Sequence, residues 1–201
     1  MPFKFPLLAA SVLALGVTSA SPPADSTWPG FRGHGMTGVA ASARVPDRWS
    51  VKENVKWAVP IAGNGWSSPI VWGETVYITS AIGTKPFKQP GAGLFGNDYV
   101  AELTAQGLSG EELMKRLRAR DNEMPEESAE LRYMLYALDA KSGKVKWERE
   151  ALRTLPAGGR HRKNTYASET PFTDGERIYA SFGQNVGLFC FSMDGTPLWK
   201  K

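Results

Sequence analysis

A single cysteine, Cys190, stands in the 201-residue chain, so no internal disulfide can form. The fold must rest on its core and its backbone pairing. Cys190 lies in the apolar run Leu188-Phe189-Cys190-Phe191 and reads as a small core residue, not a nucleophile or redox group. Histidine is scarce, with two residues, His34 and His161, and neither belongs to an HExxH or comparable metal motif. GxSxG and P-loop motifs are absent, and no Asp/Asn/Glu cluster has calcium-loop spacing. The Gly-rich stretch 30–38 neither follows a strand nor opens a helix, so it does not read as a phosphate cradle. The excess of positive charge is small, +4, and does not mark a nucleic-acid binder. Beyond the N-terminus no apolar run is long enough to span a membrane.

Residues 1–20 read as a signal peptide. Lys4 supplies a positive start, residues 5–17 are apolar apart from Pro6 and Ser11, and Thr18-Ser19-Ala20 offers small residues for cleavage after Ala20. An uncleaved N-terminal anchor is the alternative. No cysteine lies nearby to take a lipid. Export to the periplasm or the cell exterior follows from this reading. Residues 21–27 form a polar, Pro-containing linker, and Trp28-Pro29-Gly30-Phe31-Arg32-Gly33 opens a loop or extended segment.

What the chain has in quantity is turn-forming glycine (21 residues) and tryptophan (7), a composition that favours short strands over a helical bundle. Self-comparison shows how they are used. Pro69-Ile70-Val71-Trp72-Gly73-Glu74-Thr75-Val76-Tyr77 aligns without a gap on Pro171-Phe172-Thr173-Asp174-Gly175-Glu176-Arg177-Ile178-Tyr179. Each copy reads as strand, tight Gly turn, strand, with Pro at a strand start where it need not donate. Leu135-Tyr136-Ala137-Leu138-Asp139-Ala140-Lys141-Ser142-Gly143 leads to Trp147, as Leu188-Phe189-Cys190-Phe191-Ser192-Met193-Asp194-Gly195 leads to Trp199. These are two more strands around a Gly turn. Each unit therefore holds four strands, and serial four-stranded antiparallel units are the blades of a propeller. The expected fold is all-β: a β-propeller of four-stranded antiparallel blades, about two of them present, with a partly helical insertion.

Residues 55–60, around Asn54-Val55-Lys56-Trp57, read as a last strand without its first three, placed to complete another blade. The insertion occupies about 83–132. Residues 83–96 read as loop. Ser109-Gly110-Glu111-Glu112 fits a capping box, with Leu113 and Leu117 at helical spacing and Glu111–Lys115 and Glu112–Arg116 as i,i+4 pairs. A second short helix is expected from Pro125 to about Arg132. The insertion is either a lid over one face or plain decoration.

The words Ser-Pro-hydrophobic-x-Gly-x-x-Val-Tyr and Leu-x-Ala-Leu-Asp-x-x-Ser-Gly-x-x-x-Trp resemble the pyrroloquinoline quinone (PQQ) repeat family. That family includes quinoprotein alcohol dehydrogenases, the outer-membrane assembly propeller of the BamB type, and exported propellers without an assigned role. The resemblance runs from Trp28 to the end, excluding the insertion; residues 28–201 are then the N-terminal part of a PQQ-like propeller. It implies that Trp57, Trp147 and Trp199 dock between neighbouring blades, where a large aromatic supplies buried area. It also implies further blades, since two cannot close a ring and an open array leaves one face uncovered. In the dehydrogenases the cofactor is PQQ with calcium, a carboxylate base, a stacking Trp and often a vicinal disulfide. No adjacent cysteines occur here, and no catalytic position carries over.

The richest polar cluster is Arg160-His161-Arg162-Lys163-Asn164 with Tyr166 and Glu169. His161, Lys163, Asn164, Tyr166 and Glu169 are the candidate ligand-face residues, suited to an acidic ligand, a quinone carboxylate or a polypeptide. The alternative is a solvated loop whose Asn164 and Glu169 bond their own turn. The function expected is a binding or assembly scaffold with protein or envelope components as partners; the alternative is a quinone-dependent dehydrogenase whose site lies mainly in other blades.

Overall fold

The computed structural model describes residues 22–23, 26–40, 44–83, 91–94, 96–123, 129–156, 164–183 and 186–201. Residues 1–20, read as a signal peptide, lie outside them, as do His161 and Lys163.

Among the described residues nine strands form two antiparallel sheets. The first holds, in spatial and chain order, β1 (Thr27–Trp28), β2 (Ile70–Trp72), β3 (Thr75–Gly83), β4 (Leu131–Asp139) and β5 (Val145–Thr154). The second holds β6 (Phe172–Thr173), β7 (Arg177–Ser181), β8 (Leu188–Ser192) and β9 (Pro197–Lys200). The architecture is thus mostly antiparallel β, with few helices. β1, a two-residue strand at one edge of the first sheet, is an addition to the four strands expected there.

The sheets form because β-branched and aromatic residues alternate between Gly turns. The β2–β3 turn uses Gly73 at φ +58 and the β6–β7 turn Gly175 at φ +94. In the β4–β5 turn, Asp139 Oδ1 accepts from the Ser142 N–H at 2.8 Å and the Ser142 hydroxyl at 2.7 Å. In the β6–β7 turn, Asp174 Oδ1 accepts from the Glu176 and Arg177 N–H groups at 2.9 and 2.7 Å. Each Asp thus closes its own turn with backbone donors.

One face of the first sheet packs on one face of the second. Ile70, Tyr77, Tyr133, Leu135 and Ala137 meet Ile178, Ala180, Phe182, Phe189 and Phe191 in a single buried cluster. β4 is buried along almost its whole length, with Met134, Tyr136 and Leu138 filling its other face. Burial on both faces gives the near-continuous apolar run of a central strand.

Among its described residues the insertion carries two helices, α1 (Asn97–Ala105) and α2 (Gly110–Asp121). α2 matches the expected helix, with Ser109 at its N-cap, but the Ser109 side chain makes no capping bond. Of the two expected i,i+4 pairs, Glu112–Arg116 stands at 3.4 Å, while Lys115 approaches Glu112 at 3.9 Å. α1 was not expected. It is joined to α2 by Arg120, whose guanidinium lies 5.1 Å from the Tyr99 ring centre. The Asp121 carboxylate accepts the Gly93 and Leu94 N–H groups at 2.7 and 2.9 Å, tying the entering loop to the end of α2. The expected second helix differs: Leu131 and Arg132 already belong to β4, and 124–128 lie outside the described residues.

Residues 55–60 are in no sheet. They are expected to complete a further blade, which is neither of these two sheets. What holds them is Trp57, whose Nε1–H donates to the Ala140 carbonyl at 3.1 Å.

Candidate functional site

Two features of the molecule are built by residues far apart in sequence. The first is a repeated aromatic contact. A Cβ on Gly143, in the β4–β5 turn, would stand 2.6 Å from Trp57 Cε3. A Cβ on Gly195, in the β8–β9 turn, would stand 2.9 Å from Trp147 Cδ2. Each indole thus lies flat on the bare glycine of the next hairpin. Trp72 lies on Gly175 in the same manner, 2.3 Å from a Cβ there. Only glycine leaves room for these rings, and each of the three glycines also has a positive φ.

The register extends the likeness. Ile70, Tyr77, Ala137 and Trp147 face one another across the first sheet, and Phe172, Tyr179, Cys190 and Trp199 do so across the second. The Tyr77 and Trp147 rings are 5.8 Å apart at 47°, and the Tyr179 and Trp199 rings 6.0 Å apart at 49°. The first row is covered by the second sheet, with Tyr77 only 2% exposed. In the second row, Phe172 is 49% and Trp199 42% exposed. Cys190 is buried within that row, and burial pushes its thiol pKa up, against reactivity.

The second feature is the end of the sheets where β2 and β6 begin and both long connections enter. Residues 164–170 cross this end against residues 66–68. Ala167 O accepts the Trp66 and Ser67 N–H groups at 3.0 and 3.2 Å, and Thr170 Oγ1 accepts the Ser68 N–H at 3.0 Å. Below them the buried Thr79 hydroxyl donates to Ser67 Oγ at 2.9 Å. Thr165 and Ser168 close the turn, with the Thr165 N–H donating to Ser168 Oγ at 2.8 Å. Asn164 Oδ1 accepts from the Thr165 N–H at 2.9 Å, a bond within its own turn. No family model matches the chain, and no curated protein does. The chemistry of this end must therefore be read from its side chains.

Of the expected ligand-face residues, Asn164 and Glu169 are exposed and Tyr166 is half-buried against the core cluster. Glu169 forms no ion pair among the described residues. Its Oε1 lies 3.6 Å from where a Cβ of Gly183 would stand, beside Phe182. Phe182 in turn packs on Tyr133, ring centres 5.2 Å apart.

Tyr133 carried no sequence signal of function, being one of many apolar residues on β4. It is fully buried, and its hydroxyl has no hydrogen-bond partner among the described residues. Burial pushes its pKa up to about 12, and the neighbouring Tyr166 and Glu169 add to the rise. Tyr133 therefore stays a neutral donor and acceptor across the physiological range. A buried hydroxyl without a partner costs about 1–3 kcal/mol and calls for an explanation.

Among the described residues no three His, Cys, Asp or Glu side chains converge, and the sequence has no adjacent cysteine pair. No helix among the described residues is long and apolar enough to cross a membrane.

Proposed function

We propose that the chain is part of an exported β-propeller of PQQ-like repeats, acting in the periplasm or outside the cell as a binding or assembly scaffold. The observation that carries this reading is the repeated junction. Trp57 lies on Gly143, and Trp147, 90 positions later by number, lies on the equivalent Gly195. A contact that recurs from unit to unit is how serial blades stack. The row Phe172, Tyr179, Cys190 and Trp199 repeats the row that covers the first junction, so a further unit of the same kind fits against it. Fold-level likeness alone does not assign a reaction. The reading of a scaffold draws on the inter-sheet junction, where polar residues from both units meet at one end.

Titration of the full gene product with PQQ and calcium, followed by a dye-linked alcohol or sugar oxidation assay, tests the reading. The scaffold binds no quinone stoichiometrically and oxidises nothing. Tight stoichiometric binding with turnover establishes the quinone-dependent dehydrogenase instead.

A further inference from the structure

Residues 44–56 join neither sheet, yet they are built around a closed turn. The Ser50 N–H donates to the Glu53 carbonyl at 3.0 Å and the Glu53 N–H to the Ser50 carbonyl at 3.1 Å, which puts Val51 and Lys52 at the tip. The Lys52 N–H donates to Ser50 Oγ at 3.3 Å. Asn54 turns the chain back at φ +57, and its side-chain amide donates to the Arg48 carbonyl at 2.7 Å. Trp57 fixes the foot of the turn on Gly143. Local bonding thus holds the turn, while Val51 stands 93% and Trp49 71% exposed. Arg48, Lys52 and Lys56, all exposed, flank these two in the chain, against the single acid Glu53 within 48–56. Trp49, Val51 and Lys52 fall within three steps of the backbone, ~11 Å at most, so one surface can take them together.

The residue types favour a bilayer over a protein as what this tip meets. Protein interface cores are depleted in lysine, and Lys52 stands at the tip itself. Indole beside lysine and arginine suits the membrane–water boundary: the ring settles among headgroups, and the long stems lie on apolar surface while their charged ends reach phosphate. We propose that the turn 48–56 is a contact point for an anionic lipid surface. Val51 and Trp49 enter the headgroup layer, and Arg48, Lys52 and Lys56 meet lipid phosphates. Each cation near such a surface strengthens attachment about fivefold. The contact lies on the bilayer and spans nothing, so attachment is reversible.

The experiment is flotation of the full gene product with vesicles of phosphatidylcholine and phosphatidylglycerol, beside vesicles of phosphatidylcholine alone. Binding to the anionic vesicles is expected, and it weakens as salt is raised. Lys52→Glu lowers it at least about fivefold, and Val51→Asp lowers it severalfold. Both positions are exposed, so the variants keep the wild-type unfolding temperature. Val51→Cys takes a polarity-sensitive dye at the tip alone, because Cys190, the one native thiol, is 1% exposed. The dye emission is expected to shift to the blue on anionic vesicles and to stay water-like in buffer. No binding, equal binding to both vesicles, or indifference to both substitutions overturns the proposal. So does a dye already blue-shifted in buffer, which would show that another protein unit covers the tip. Quinone binding decides none of these outcomes, so the lipid contact stands or falls apart from the scaffold reading.

Discussion

Gly195 sits at φ +85 beneath the Trp147 indole, so a side chain there meets two objections at once. An L-residue at this φ is strained, at a cost of about 1 kcal/mol. The Cβ also intrudes on a ring packed between two hairpins, adding about 1–3 kcal/mol of overpacking. Gly110 separates the two effects. It has φ +57, and nothing lies within 4 Å of a Cβ there. Gly110→Ala is expected to cost about 1 kcal/mol and Gly195→Ala about 2–4 kcal/mol by denaturant unfolding. Equal losses would mean that the Trp147 contact contributes nothing. The glycines were legible in the sequence as turn residues, because Asp-Gly and Ser-Gly between apolar runs announce hairpins. That each glycine also supports an indole from another unit was legible only in part, since the contact joins residues up to 103 positions apart, as Trp72 and Gly175 are. Tyr133 had no local mark at all. Its hydroxyl is unusual because of what surrounds it, and sequence spacing on a strand does not reveal that.

At the scale of elements, strand pairing was the most readable feature. β2–β3 and β6–β7 fall where the two aligned copies predict them, since period-two alternation ending in a Gly turn leaves little choice of register. The insertion was less readable. α1 starts after Gly96 with no side-chain cap and buries Leu103 alone, so neither start signal nor apolar stripe betrays it. Residues 55–60 join neither sheet, and Trp57 holds them through its contact with Gly143 and its bond to the Ala140 carbonyl.

The outer strand β5 carries an ionic cluster of its own. Glu150 takes Arg153 Nη2 at 3.1 Å and Arg132 Nε at 2.6 Å. Hydrogen bonds from Arg153 and then Arg132 hold its pKa down to about 2. A carboxyl with a depressed folded-state pKa stabilises the protein above its unfolded value and loses that contribution as the pH falls through the folded value. The Glu150 contribution is therefore full above about pH 5 and fades toward pH 2. Glu150 is about a third exposed, so solvent screening limits the loss to about 0.5–1 kcal/mol. Glu150→Gln is expected to lower stability by that amount at pH 7 and by nothing near pH 2, measured by urea unfolding at both. A loss that persists undiminished at pH 2 would assign the effect to packing.

At the scale of the whole molecule, the two sheets differ in what covers them. The first has its Ile70, Tyr77, Ala137 and Trp147 row sealed by the second sheet. The second presents Phe172 and Trp199 in the equivalent row, with Leu198 48% exposed on the edge strand β9. Apolar area of this kind, on a strand whose outer edge is unpaired, draws another chain. The 201-residue chain expressed alone is therefore expected to associate above micromolar concentration, with a sedimentation-average mass above 22.0 kDa that rises with loading. Trp199→Glu, which puts a charge at the edge-strand end of the row, is expected to return the monomer. The matching change at Trp147 is a control of opposite sign, because that indole is already docked on Gly195 and a charge there unseats one sheet from the other. A wild-type chain that stays monomeric and unfolds in one sharp, reversible step would show that the second row needs no cover. The repeated junction would then end with this pair of sheets, and the propeller reading would lose the observation on which it stands.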